Sequence, residues 1–164
     1  MPVYHFVLHA YGTWHPDHPG GWHQHGERGP MRPDVALGRY RKKTQRWETA
    51  GFAAYMRTPL VEMVLDICRR RGWRCHAAAV NETHVHIVAS WREEMEALRA
   101  QHAFKRLLGW RAAKLAGTEG RRWFSDGGIP KRVRDKEHLS YLVNIYLPGQ
   151  GGAIWVEGWP CVVM

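Results

Sequence analysis

The chain has 164 residues, and its 24 Lys and Arg outnumber 15 Asp and Glu for a formal net charge of +9 with histidines neutral. That length fits one compact domain with a real core, and the charge favours a polyanionic partner. Arg supplies 18 of the 24 cations, and a guanidinium grips phosphate through two hydrogen bonds where an ammonium acts as a point charge. Cysteines at 68, 75 and 161 form no C-x-x-C pair, which argues against a disulfide framework and a thiolate zinc site and suits a reducing interior. With no cationic leader ahead of an apolar segment and no run of about 18 apolar residues, the expectation is a soluble cytoplasmic chain with no membrane contact.

Val3 to Tyr11 (VYHFVLHAY) is rich in aromatic and β-branched residues and predicts a first strand. Residues 12 to 50 hold HPDHPGG and GRYRKK without sustained periodicity, predicting a long functional loop or mobile insertion, with plain disorder in the unliganded chain as the alternative. Thr58 as cap, Pro59 at the first helical position and Val61, Val64, Leu65 and Cys68 on one stripe predict a helix. Arg69 to Arg71 suit its carboxyl end and Gly72 its left-handed stop. Residues 73 to 80 and His84 to Ala89 predict two strands joined by Asn81, Glu82 and Thr83. Ser90 and Glu93 form a capping box for a helix through Met95, Leu98 and Leu107 toward Leu115.

Arg122 to Phe124 and Ile129 to Val133 predict short strands about an Asp126-Gly127-Gly128 turn. Asp135 can cap a last helix with Leu139, Leu142, Val143 and Tyr146 on one stripe, ended by Pro148 and Gly149. The tail GGAIWVEGWPCVVM predicts a final strand or a docked segment. The order strand, helix, strand, strand, helix, strand is that of a ferredoxin-like α+β fold, with both helices on one face of an antiparallel sheet and the other face open.

Side chains alternate along a strand, so His84 and His86 share a face while Val85, Ile87 and Ala89 take the other. The apolar set belongs beneath the helices, and the imidazoles then stand close enough on the open face to share an ion. Two imidazoles do not saturate a metal, so a carboxylate, amide or water must join them. A solvated or ring-stacked pair is the plainer alternative. A His-triad nucleotide hydrolase would place a third imidazole near position 88, where this chain has Val88.

Three passages, YHFVLHAYGTWHPDHPGG, RRRGWRCHAAAVNETHVHIVAS and RRWFSDGGIPKRVRDKEHLSYLVNIYLPGQGG, together resemble the IS200-like tyrosine transposases of the HUH superfamily, including those associated with repeated palindromic elements. The resemblance implies a metal-dependent nuclease and strand transferase that forms a 5′-phosphotyrosine on single-stranded DNA near hairpins. It implies Mg²⁺ or Mn²⁺ as cofactor, with His84 and His86 as metal ligands. The family's nucleophilic tyrosine precedes by four residues a glutamine that can serve as a third ligand, which fits Tyr146 and Gln150; Tyr141, with Ile145 at that offset, is the alternative nucleophile. Relatives occur as dimers with shared sites and as monomers, so a homodimer is one expected form, and a nucleoid-associated location follows from the DNA partner.

The periodicity alone favours a packed Tyr146, unless its helix docks over the open sheet face. Pro148 and Gly149 interrupt the helix between Tyr146 and Gln150, so helical spacing does not by itself return Gln150 to the histidines. A nucleic-acid-binding protein of the same fold without catalysis therefore stands as the alternative, followed by a phosphoesterase of small nucleotides. Candidate DNA contacts are Lys105, Arg106, Arg111, Lys114, Arg121, Arg122, Lys131, Arg132 and Arg134, with a second basic cluster from Arg39 to Arg46. Trp14, Trp22, Trp47, Trp110 and Trp123 are candidates for base stacking.

Overall fold

A computed structural model describes residues 1–22, 29 and 31–164. Its frame is a five-stranded antiparallel sheet in the order β4-β1-β3-β2-β5, formed by β1 (Val3–His9), β2 (Arg74–Val80), β3 (His84–Ser90), β4 (Lys131–Arg132) and β5 (Ala153–Val156). Helices α2 (Ala54–Arg70) and α3 (Ala97–Ala116) supply the crossovers. The first four strands give the expected ferredoxin-like α+β arrangement, and β5 extends it beyond β2.

Alternation along the strands sorts two cores. Phe6 and Leu8 of β1, Val85, Ile87 and Ala89 of β3 and Ala78 and Val80 of β2 pack with Leu60, Val64, Phe104 and Leu108 of the two helices. Each fully buried large side chain there contributes about 1.5–3 kcal/mol. On the other face Ala77, Ala79, Val88, Ile154 and Val156 pack with Leu142 and Leu147. The last helical segment therefore lies on the sheet face opposite α2 and α3, and covers it.

Several elements start or end elsewhere than expected. Helix α2 begins at Ala54, so Thr58 is not its cap and Pro59 lies inside it. The early start inserts Met56 into the core at 1% exposure; the helical bond that Pro59 cannot make would end at exposed Tyr55, where water can serve instead. Gly72 does take a left-handed φ of 66° at its end. Helix α3 begins at Ala97 rather than after Ser90, because both capping-box side chains have other partners: Ser90 Oγ pairs with His76 and Glu93 accepts from Trp73 Nε1. Its buried stripe is Ala100, Gln101, Phe104, Leu108 and Ala112, and Leu98 is exposed.

The insertion is not without structure. Asp34 accepts the Leu37 amide and caps α1 (Val35–Thr44), whose Gly38 lies so close to Asp17 that a methyl group there would overlap it. Lys42 pairs with Asp17 and Arg41 lies over Trp22, tying α1 to residues 14–22. Of the two predicted strands near Gly127, one shrinks to a Phe124 bridge with Ala10 and the other to β4. Positive φ at both Gly127 and Gly128 bends the chain between them too sharply for longer pairing.

Candidate active site

Pairing of β1 with β3 sets Val7 opposite His86 and His9 opposite His84. His5, Val7 and His9 share a face of β1, so the sheet face expected to be open, which the last helical segment covers, carries four histidines rather than two. His5 Nε2 lies 3.1 Å from His86 Nδ1 with the ring planes 20° apart, and the His9 and His84 rings are 5.6 Å apart. Sequence reasoning passed over His5 and His9. Alternation along VYHFVLH would have grouped them, but only the strand register brings them to His84 and His86.

The turn before β3 orients His84. Asn81 Oδ1 accepts the backbone amides of Thr83 and His84, each at 2.9 Å, so its Nδ2 is the donor end and gives a hydrogen bond to His84 Nε2 at 3.1 Å. His84 Nδ1 then carries the proton and donates to Thr83 Oγ1 at 2.7 Å. Gln150 is also fixed, because its Nε2 donates to the Tyr146 carbonyl at 3.3 Å and its Oε1 stands 3.4 Å from His84 Nε2. Gln150 Oε1 thus faces a His84 nitrogen whose lone pair accepts from Asn81 Nδ2 in this structure, so a cation held by the two would take the place of the Asn81 donor.

His86 is 1% exposed, and among the described residues its Nε2 is buried without a hydrogen-bond partner. Burial, then the nearby His84, His5 and His9, push its pKa down from 6.5 to about 3; Gln150 stands near enough to oppose this without forming a hydrogen bond. Burial, then Lys131 and His138, bring His5 to about 4, and burial, then His84, Lys105 and His18, bring His9 to about 4. Burial also lowers His84. The imidazoles are therefore neutral near pH 7, the form that binds metals. Among the described residues no three His, Cys, Asp or Glu side chains are grouped to hold a metal ion. The fitting donor set is two imidazoles and an amide oxygen, with an orphaned buried nitrogen among them.

The chain reaches this geometry through an irregular helix. Asp135 caps α4 (Lys136–Tyr141), which continues as a π-helical turn over Leu142–Tyr146, closed by the Leu147 amide on the Leu142 carbonyl at 2.9 Å. Pro148–Gln150 then forms a 3₁₀ turn. The interruption by Pro148 and Gly149 thus does not carry Gln150 away. Tyr146 is half-buried, with its ring edge-on to His5 and His86 at 5.8 and 5.5 Å. Tyr141 is exposed and its ring lies 6.2 Å from that of Tyr146.

The predicted cations divide. Lys131 sits opposite His5 across the β1–β4 pair and is exposed, beside Arg132 and near exposed Arg134. A cleft of about 590 Å³ between α3 and residues 119–126 is lined by Lys105, Arg106, Lys114, Arg121, Arg122 and Trp110. Half-buried Arg111 is outside that lining. Lys105 donates to the Ser125 and Gly127 carbonyls, Arg121 to the Glu48 carbonyl, and Arg122 pairs with Asp126. These three brace the cleft wall, whereas Arg106 is exposed. The cleft adjoins the histidine face, since the Ser125 amide donates to the His9 carbonyl at 3.0 Å. Trp110 is exposed, Trp14 stacks on His18 at 3.7 Å, Trp47 has Arg46 over its ring, and Trp22 and Trp123 are buried.

One further constellation is structural. Ser90 Oγ pairs with His76 Nε2 at 2.8 Å and His76 Nδ1 lies 3.3 Å from Glu157, yet Ser90 has no exposed surface. No reagent reaches it, and the trio fastens the end of β5 to β2 and β3.

No family model and no curated protein matches the chain. Among solved structures it is similar to a REP-associated tyrosine transposase bound to a REP hairpin, at 13% identity and a TM-score of 0.47, over 98% of this chain and 75% of that one. No helix among the described residues is long and apolar enough to cross a membrane.

Proposed function

We propose that the chain is a metal-dependent endonuclease and strand transferase of single-stranded DNA, acting at hairpin-associated sites through Tyr146. The observation that carries this reading is the meeting of Tyr146 and Gln150 with His84 and His86 on one sheet face, although helical spacing alone would not bring them together. The donor set of His84, His86 and Gln150 suits Mn²⁺ or Mg²⁺, and such an ion, when bound, polarises the scissile phosphate.

The protein's own groups then divide the work. Gln150 holds its Oε1 toward His84 by donating to the Tyr146 carbonyl, so the candidate ligand and the candidate nucleophile are placed by one short segment. The Tyr146 oxygen attacks phosphorus, the bond to the 3′-oxygen breaks, the phenolic proton passes to the medium, and the freed 3′-oxygen takes up a proton. Attack by another 3′-hydroxyl reverses the step and joins strands without a further energy source. Lys131 on the histidine face and Arg106 in the cleft are the cations best placed to hold the phosphodiester backbone.

The test is incubation with Mn²⁺ and hairpin-bearing single-stranded DNA, followed by denaturing electrophoresis. A covalent protein–DNA adduct should form, persist in Tyr141→Phe and vanish in Tyr146→Phe. An adduct lost only in Tyr141→Phe would transfer the role to Tyr141. Salt-sensitive binding unaffected by EDTA, with no adduct across a hairpin library, would leave a binding protein without catalysis.

A further inference from the structure

The hydrogen bond between His5 Nε2 and His86 Nδ1, 3.1 Å long, contains one proton, and its owner decides what the other side of His86 can do. If His5 holds it, neutral His86 must carry its own proton on Nε2, a donor buried among the described residues with nothing to receive it. An unsatisfied buried donor gives up its bond to water with nothing in return, and orphaned N–H groups are rarer in folded proteins than under-used acceptors. If His86 Nδ1 holds the proton, Nε2 keeps a bare lone pair. We infer that His5 is a positioning residue that accepts the Nδ1–H of His86 and thereby fixes the tautomer in which the buried Nε2 is free to bind a cation. The cation itself rests on the metal site proposed above.

The neighbouring histidine reaches the same state by other means. Thr83 Oγ1 takes the Nδ1–H of His84, and Nε2 is left as the acceptor toward Asn81. His5 does for His86 what Thr83 does for His84, so both candidate ligands keep Nε2 unprotonated, bare in His86 and hydrogen-bonded to Asn81 in His84. Partners that hold the remote nitrogen of a metal-binding imidazole set its tautomer and its ring orientation. Here the orientation has a second restraint, because the Tyr146 edge rests on both the His5 and the His86 ring. His5 is 7% exposed and its strand position is central, between β3 and β4, so solvent does not compete freely for the bond.

The tautomer is readable without metal or DNA, from long-range ¹H–¹⁵N correlation of histidine-labelled protein near pH 7.5, with His86 assigned by difference against His86→Ala. The wild type should show His86 protonated on Nδ1. His5→Phe keeps a ring and removes the acceptor; it should move His86 to a mixed or Nε2-protonated pattern and weaken Mn²⁺ binding in calorimetry by about 10–100-fold. His5→Gln, whose Oε1 can accept the same N–H, should restore both. His86 protonated on Nε2 in the wild type overturns the inference, even if His5→Phe fails to fold. So does a His5→Phe protein with unchanged pattern and affinity. If the wild type binds no Mn²⁺ but the His86 pattern still answers to His5→Phe and is restored in His5→Gln, the metal reading falls while the assignment of His5 stands.

Discussion

Gln150 and Tyr146 are joined by a hydrogen bond from the side-chain Nε2 of one to the backbone carbonyl of the other, at 3.3 Å. This bond decides which end of the amide faces His84, since the donor end is taken and Oε1 is what remains at 3.4 Å from Nε2. Gln150→Ala removes the oxygen and frees the segment. Mn²⁺ affinity should fall at least about tenfold, by the scale of lost metal-site contacts, with little change in the urea midpoint because Gln150 is only half-buried. An unchanged affinity in calorimetry would take Gln150 out of the ligand set.

The buried imidazoles give the metal-free protein a definite dependence on pH. His86 titrates near 3 and His5 and His9 near 4 in the fold, against about 6.5 in the unfolded chain. Folded pKa values lie below unfolded ones, so the unfolded chain binds more protons between them. The stability is complete above about 6.5 and is lost as pH falls toward 4. Urea midpoints should therefore decline from pH 7 to pH 4.5, and His5→Phe should decline less steeply. A flat profile over that window would mean these imidazoles are not buried in neutral form.

Gly152 stands where the chain turns from the 3₁₀ segment into β5. A Cβ there would lie 2.2 Å from the Val80 carbonyl oxygen and 3.0 Å from Asn81 Cα, at a φ of +76°. Gly152→Ala should cost at least about 2 kcal/mol from overlap and left-handed strain together, read from urea denaturation. Val80 and Asn81 lead directly into His84, so the same variant should also weaken Mn²⁺ binding.

Trp110 offers an exposed ring on a cleft walled by arginine and lysine. Trp110→Ala should reduce affinity for single-stranded DNA by about 1–3 kcal/mol, the worth of one stacked base, and leave the urea midpoint in place. Fluorescence anisotropy at several salt concentrations checks this. Loss of the phosphate contact in Arg106→Ala should instead flatten the salt dependence.

Much of the frame was legible in the sequence because each strand carries its own alternation. Val85, Ile87 and Ala89 announced one face of β3 and the histidines the other, and Gly72 and Asp135 marked helix ends through local backbone chemistry. Contacts between distant segments were not legible. The capping box of Ser90 and Glu93 is sound as local chemistry, yet His76 and Trp73 claim those side chains across the sheet. His5 lay in plain view, but its meaning depends on a register in which Val7, not His5, is opposite His86. The placing of Gln150 was hidden for a similar reason: a proline after a helix predicts an ending, and the turn that precedes it here is π rather than α.

That turn holds one residue more than an α-helix would use between the same two ends, with the Leu147 amide reaching back five positions to Leu142. One residue corresponds to about 100° of rotation around a helix axis. The surplus residue therefore acts as an angular offset, set once in the backbone, that aims everything after it. Closing the same residues as a regular α-helix would swing those beyond it off the histidine face, whereas removing a single residue such as Asn144 would let the turn close as α with the residues beyond it still aimed. Within a lineage of such chains, a one-residue change of length in this short stretch would be matched by a switch between π and α closure, since the aim of the residues beyond depends on the two together.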